Sequence, residues 1–308
     1  MRFMSLISQG AFRRWLVCIA LGVALVVAGC GDSSNSRSSS DGGSSKAAGT
    51  KDQALHDALP DTIRSRRVLR VSTDATLGRP FAEQSGSEII GLDADLAREL
   101  SALLGLKLQL ANVPFDGIIP GLQADRADVS ISSMLDTKER QKVLDFVDFF
   151  RDGSGFLVKA GGPLTDLALG ELCGKSGSAG KGSLEALALQ DESKKCKAAG
   201  KPPVDVELFS GVNTATLATI SGRVDFYAGS ASANAWVELQ NKGKLQRSGE
   251  PFGVGIVGMA VPKDSELGPV LQKSLQKLMD DGTYADMLKK YNLQDTALEK
   301  ATMNHALF

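Results

Sequence analysis

The feature that most constrains this chain is a change of apolar period that recurs along its length. Short alternating stretches, which read as strands, are followed by stripes spaced three and four residues apart, which read as helices. Residues 68–73 alternate as a strand. Leu96, Leu100, Leu103 and Leu104 then form a helical stripe, with Asp93 expected as its N-cap and Gly105 as its stop. Residues 106–113 read as a strand, 114–124 as a helix, 128–132 as a strand, 137–144 as a helix and 156–159 as a strand. A second cycle places helices at 164–172, 183–189, 214–221 and 232–241, and strands at 175–179, 204–209, 224–228 and 253–261. Two helical stretches follow, at 267–281 and 283–291. Strands alternating with helices build βαβ units and mainly parallel sheets.

The fold class is therefore α/β, in two units of similar size. The first unit has few strands of its own and gains from the last strand and helices. The chain is thus expected to cross between lobes twice, at 158–160 and 252–255. That gives lobe 1 residues 66–158 plus 255–293, lobe 2 residues 159–254 and a C-terminal tail over 294–308. Two crossings make a hinge, with a cleft at the carboxyl ends of the strands.

The N-terminus reads as an address. Arg2, Arg13 and Arg14 precede an apolar run over 15–29 with no acid among the first 29 residues. The run is shorter than the ~20 residues of a membrane-spanning helix, and its order matches a secretory signal peptide. It ends in Val27-Ala28-Gly29-Cys30, which resembles a bacterial lipobox, so Cys30 is the expected lipid attachment point. Residues 30–51 hold eight serines and no large apolar side chain, the composition of a flexible tether. The mature protein is then expected outside the cytoplasmic membrane, anchored by lipid at the cell surface or in the periplasm.

Composition excludes several function classes. With 35 basic and 36 acidic residues, no net positive charge draws the chain to nucleic acid. Only two histidines occur, His56 and His305, one near each end, so neither a metal site nor a histidine base is expected. No cofactor motif completes itself: the Gly-Lys pairs at 174–175 and 180–181 break the phosphate-loop pattern. Of four cysteines, Cys18 lies in the apolar run and Cys30 takes the lipid. Cys173 and Cys196 remain, an even pair in an oxidising compartment and an expected disulfide.

The most informative segment runs from Ile131 to Arg140. A strand end with serines is followed by a helix start at Thr137, and Arg140 lies in the first turn. A cation there opposes the helix dipole by ~0.3–1 kcal/mol. Serine hydroxyls, free N–H groups and a guanidinium fork suit a carboxylate. A surface pairing of Arg140 with Asp136 or Glu139 is the alternative.

With this segment, a series of stretches resembles the family 3 extracellular solute-binding proteins, the polar-amino-acid receptors of ABC importers. They are Val71-Ser72-Thr73-Asp74-Ala75-Thr76, Gly91-Leu92-Asp93-Ala94-Asp95-Leu96, Val113-Pro114-Phe115-Asp116-Gly117-Ile118-Ile119-Pro120, Leu172-Cys173-Gly174-Lys175, Ser221-Gly222-Arg223-Val224-Asp225 and Asp281-Gly282-Thr283-Tyr284. They occur in order over residues 66–293. The resemblance implies a two-lobed, hinged periplasmic-binding-protein-like fold, each lobe a mainly parallel sheet flanked by helices. It implies a monomer that closes on a small ligand and delivers it to an ABC permease. It makes Arg140 the ligand of an α-carboxylate and Ser133 a ligand by backbone and hydroxyl. Ser132 would line the same pocket, Phe115 would form its wall, Asp74 would be an acid at the first strand's end, and Ser183 would bring second-lobe N–H groups to the carboxylate.

Three positions depart from the family pattern: Leu77 replaces an aromatic, Leu135 a hydroxyl, and Ser230 the acid that holds the α-ammonium. An ammonium in a closed cleft needs a carboxylate. The departures therefore point to a carboxylate ligand other than an ordinary α-amino acid, or to one held in a different pose, unless Asp74 or Asp136 substitutes. Two further readings share the fold: a cyclohexadienyl dehydratase-like enzyme, and a sensor that feeds no transporter.

Overall fold

The computed structural model describes residues 50–308, so the expected signal peptide, Cys30 and nearly all of the tether lie outside the described residues. The strands are β1 (Val68–Thr73), β2 (Glu83–Ser85), β3 (Glu88–Ile90), β4 (Lys107–Asn112), β5 (Val129–Leu135), β6 (Leu144–Lys159), β7 (Ser176–Gly180), β8 (Asp205–Phe209), β9 (Phe226–Ser230), β10 (Leu245–Pro262) and β11 (Ala297–Met303). The helices are α1 (Gln53–Asp57), α2 (Asp61–Arg66), α3 (Leu92–Leu103), α4 (Phe115–Gln123), α5 (Leu184–Ala198), α6 (Val212–Ser221), α7 (Ala231–Gln240), α8 (Leu267–Asp280) and α9 (Thr283–Lys290). Among the described residues no helix is long and apolar enough to cross a membrane.

One sheet of nine strands runs through the molecule in the order β4-β1-β5-β10-β6-β9-β7-β8, with β11 added on β6. Its two ends are parallel triplets, β4-β1-β5 and β8-β7-β9. Between them β10 and β6 run antiparallel to each other and to the triplets. These two strands are 18 and 16 residues long, and they are the two passages between the lobes. β6 is apolar enough to be buried in both halves, whereas β10 is buried as a run only from Gly255 to Val261. Val147, Phe149 and Phe150 of β6 pack with Leu69, Leu96, Ile131, Met259 and Leu275 in the first core. Phe156 and Val158 pack with Leu172, Leu189 and Phe226 in the second.

The β6–β10 ladder loses register between Ser248 and Gly255. The strands loosen there because glycines stand on both sides, at Gly153 and at Gly253, whose φ of +57° is left-handed. On β6, Phe156–Val158 already pair with β9, so this strand lies in the second half of the sheet before residue 158.

Two expected helices shrink to single 3-10 turns, Arg140–Lys142 and Leu169–Glu171. The first stops because Leu144 begins the buried strand β6. In the second, Ser248 Oγ accepts from Leu167 N at 3.0 Å and donates to Leu164 O at 2.9 Å, replacing helical hydrogen bonds. Residues 294–308, read as a tail, contribute β11. Asp93 is not the N-cap of α3; Gly91 is, at φ +126°, where a Cβ would lie 2.0 Å from Phe81 O. Gly105 does follow the helix as its left-handed stop, at φ +62°. Cys173 and Cys196 are joined in a disulfide that ties the start of the second lobe to α5.

Candidate functional site

The carboxyl ends of β1, β5, β7, β8 and β9 converge on two adjoining cavities, of about 110 Å³ and about 50 Å³. Phe115, Ser133, Ser183, Glu185 and Ser230 line both. Asp74, Leu77 and Tyr227 face the larger one; Leu135, Arg140 and Asp152 face the smaller.

Arg140 sits in the turn after β5, only 9% exposed. Thr137 caps that turn, its Oγ1 accepting from Arg140 N at 3.2 Å. The guanidinium donates from Nη1 to Leu135 O at 2.8 Å and lies 5.7 Å from the Phe115 ring centroid. Among the described residues no carboxylate oxygen is within 4 Å of it. Neither Asp136 nor Glu139 takes it: Asp136 accepts from Gln141 and Glu139 pairs with Lys142. Burial pulls the guanidinium down to about 10, while the charges of Glu185 and Asp136 pull it back, so it remains a cation at neutral pH.

Ser133 stands at φ +44° inside a strand, a conformation that a non-glycine residue holds only under constraint. The constraint is Asp93. Ser133 Oγ lies 3.0 Å from both carboxylate oxygens of this buried acid, whose own pKa burial raises to about 7. The Asp93 position in the first turn of α3 thus sets the Ser133 hydroxyl at the cavity wall.

Ser132, expected to line the pocket, lines neither cavity, because successive strand residues face opposite sides. Its Oγ accepts from Asp74 N at 3.0 Å inside the sheet. Asp74 does line the larger cavity, yet its oxygens are engaged: Oδ1 by Thr76 N and Oγ1, Oδ2 by Phe115 N at 2.9 Å. It ties the end of β1 to the start of α4. Ser183 caps α5, its Oγ accepting from Ala186 N at 3.1 Å, and so sets the first turn of that helix at the cavity. Ser230 caps α7 in the same way and also donates to Asp152 Oδ2 at 2.5 Å.

Sequence reasoning missed two acids, Asp152 and Glu185. Asp152 is 9% exposed and also accepts from Ser232 N and Oγ, at 3.2 and 2.9 Å. Burial raises its pKa despite these donors. Glu185 accepts from Ser154 Oγ at 2.7 Å. The sequence signal was weak in each case. An acid in the first turn of a helix reads as a complement to its dipole, and Asp152 lies in a strand whose reach across the lobes is invisible to periodicity. Neither histidine lines either cavity: His56 bonds Leu104 O, and His305 lies on the surface beyond β11.

The lobes touch across the larger cavity. Thr76 Oγ1 donates to Ser210 O at 2.6 Å, Val212 N donates to Thr76 O at 3.1 Å, and Lys181 pairs with Asp116 at 2.9 Å. Gly182, at φ +77°, leaves room for this approach: a Cβ there would lie 2.9 Å from Asp116 Cβ. Trp236 is half-buried, its ring centroid 6.0 Å from the Arg79 guanidinium, and lines neither cavity.

Residues 69–294 match the model of the bacterial extracellular solute-binding proteins, family 3. The arginine-binding protein ArgT of Corynebacterium glutamicum is 26% identical over 247 residues, spanning 80% of this chain and 81% of that protein. Among solved structures, an ancestral arginine-binding protein bound to arginine is 35% identical with a TM-score of 0.66, covering 73% of this chain and 98% of its own. The ancestral amino acid-binding protein AncCDT-1, a precursor of cyclohexadienyl dehydratase, is 27% identical with a TM-score of 0.67, covering 75% of this chain and 98% of its own.

Proposed function

The chain belongs to family 3 of the bacterial extracellular solute-binding proteins, and from that membership we propose that it is the substrate-binding component of an ABC importer, lipid-anchored through Cys30 and closing as a monomer on an amino acid or related small carboxylate. The observation that carries this reading is Arg140. A buried cation with no carboxylate in contact among the described residues is costly to keep, and it lines a cavity of about 50 Å³ into which a carboxylate fits. A carboxylate there takes the guanidinium fork on one lobe and faces the first turn of α5 on the other. Binding both lobes, it favours the closed form over the open one, and the permease reads the closed form. The lobes divide at 152–154 and 252–255, where the ladder between the long strands loosens.

The walls of the two cavities carry Asp74, Asp116, Asp152 and Glu185 against Lys181 and Arg140. This negative balance favours a ligand with a net positive charge, and arginine, named for two of the relatives, is the first to try. Arg140→Ala is expected to weaken ligand by ~30-fold or more while the free protein stays folded with a cooperative melting transition. Unchanged affinity refutes the reading.

A second reading is a dehydratase-like enzyme on cyclohexadienyl acids. It draws on Glu185, a positioned acid in the cleft. We assign Glu185 to binding, so incubation with prephenate or arogenate is expected to give no product absorbance, and product would reverse the assignment.

A further inference from the structure

We propose that Asp152, on the long strand β6, accepts the ammonium group of the ligand, so that the ligand is an α-amino acid although Ser230 stands where the sequence leads one to look for the acid. The inference rests on the solute-binding reading and deepens it.

The smaller cavity has one wall of each sign. Arg140 and Asp152 both line it, each 9% exposed. Neither has an opposite charge within 4 Å among the described residues. Asp152 is well supplied with neutral donors, from Ser230 Oγ, Ser232 Oγ and Ser232 N. These orient the carboxylate and satisfy lone pairs, but they leave its charge uncompensated. A guanidinium and a carboxylate on one small cavity, not touching each other, are complementary to a group that carries both signs on adjacent atoms. An α-amino acid does so, with carboxylate and ammonium on a single carbon.

Ser230 and Ser232 are positioning residues in this arrangement. Ser230 Oγ is committed twice, as cap of α7 and as donor to Asp152. Its hydroxyl therefore links the end of β9 to the carboxylate. Glu185 is the other acid in reach, but its Oε1 is held by Ser154 and it also borders the larger cavity, where a ligand side chain extends. Asp152 borders only the cavity that holds Arg140. Its place next to Gly153, where β6 passes between the lobes, also makes ammonium capture a contact with the hinge itself.

The test uses the purified full chain and pairs of compounds that differ only in the α-amine: L-arginine with 5-guanidinopentanoate, then each other standard amino acid with its deamino acid. Calorimetry is expected to show at least one amino acid bound, and its deamino partner weakened by ~30-fold or more. Asp152→Asn should weaken the amino acid by a similar factor and change the deamino acid by less than about threefold, so that discrimination disappears. Moving the carboxylate, Asp152→Ser with Ser230→Asp, should restore it. Equal weakening of both members of a pair in Asp152→Asn, or no effect on either, overturns the proposal. So does an unsubstituted protein that fails to discriminate or binds no α-amino acid; amine-free acids bound there, and lost in Arg140→Ala, would leave the solute-binding reading standing. If Asp152→Asn does not fold, the discrimination of the unsubstituted protein and the swap variant decide.

Discussion

Asp93→Asn tests how the site is held, and its magnitude follows from burial. Asp93 is fully buried, with no cation beside it among the described residues, and its carboxyl is raised from 3.8 to about 7. Below pH 4 the carboxyl is neutral in both the folded and the unfolded chain. As pH rises through that value the unfolded chain releases the proton and the folded chain keeps it, so rising pH favours unfolding. The loss is complete once pH passes the folded value near 7. A shift of this size corresponds to ~4 kcal/mol of stability present in acid and absent above neutrality. Asn has no proton to lose and still offers an acceptor to Ser133 Oγ. Asp148 is also raised to about 7, by burial and by the charge of Asp136, so the unsubstituted protein has other slopes in the same range. The difference between the two proteins isolates Asp93. Melting curves from pH 4 to 8 should show Asp93→Asn gaining ~8 °C over the unsubstituted protein across that range, at ~2 °C per kcal/mol for a chain of this length. A difference between the two melting temperatures that does not change with pH would show that this carboxyl is not desolvated and that the account of Ser133 is wrong.

Replacing Cys173 and Cys196 by Ala opens a loop of 23 residues' separation, which should cost ~3 kcal/mol and lower the melting temperature by ~6 °C; an unchanged melting temperature would show that the bridge adds no stability. Gly211→Ala should loosen closure, since a Cβ there lies 3.0 Å from Thr76 Cβ. Ligand titration should show affinity reduced about fivefold, the worth of one disturbed hydrogen bond of ~1 kcal/mol, with the free protein equally stable; unchanged affinity would mean that Thr76 and Ser210 do not latch the lobes. Lys181→Ala removes an ion pair whose lysine is 62% exposed, so its effect on affinity should stay within about fivefold; a larger loss would place Lys181 on the ligand.

Much of the fold was legible because period and burial are local. The stripe of Leu96, Leu100, Leu103 and Leu104 became the buried face of α3. Strands over 68–73 and 204–209 were found within a residue of where they lie. The errors came where a distant partner decides. Residues 164–172 have an apolar pattern that suits a helix, but Ser248 takes their backbone groups. Residues 297–303 alternate too weakly to announce a strand, and β6 recruits them as β11. In the site, the sequence sets Arg140 in the first turn of a helix, but only a 3-10 turn forms there, and the Phe115 ring lies beside its guanidinium. Ser132 was misread because one residue of strand register moves a side chain to the opposite face.

The α/β alternation and the pairing of Cys173 with Cys196 follow from periodicity and parity, which are properties of a chain read along its length. The fold alone puts Asp152 on the cavity that Arg140 lines. Asp152 and Ser230 are 78 residues apart and meet at 2.5 Å because β6 and β9 pair in the sheet. The charge of a cavity is the sum over whatever strands the sheet brings to its wall, and no spacing within one segment records it.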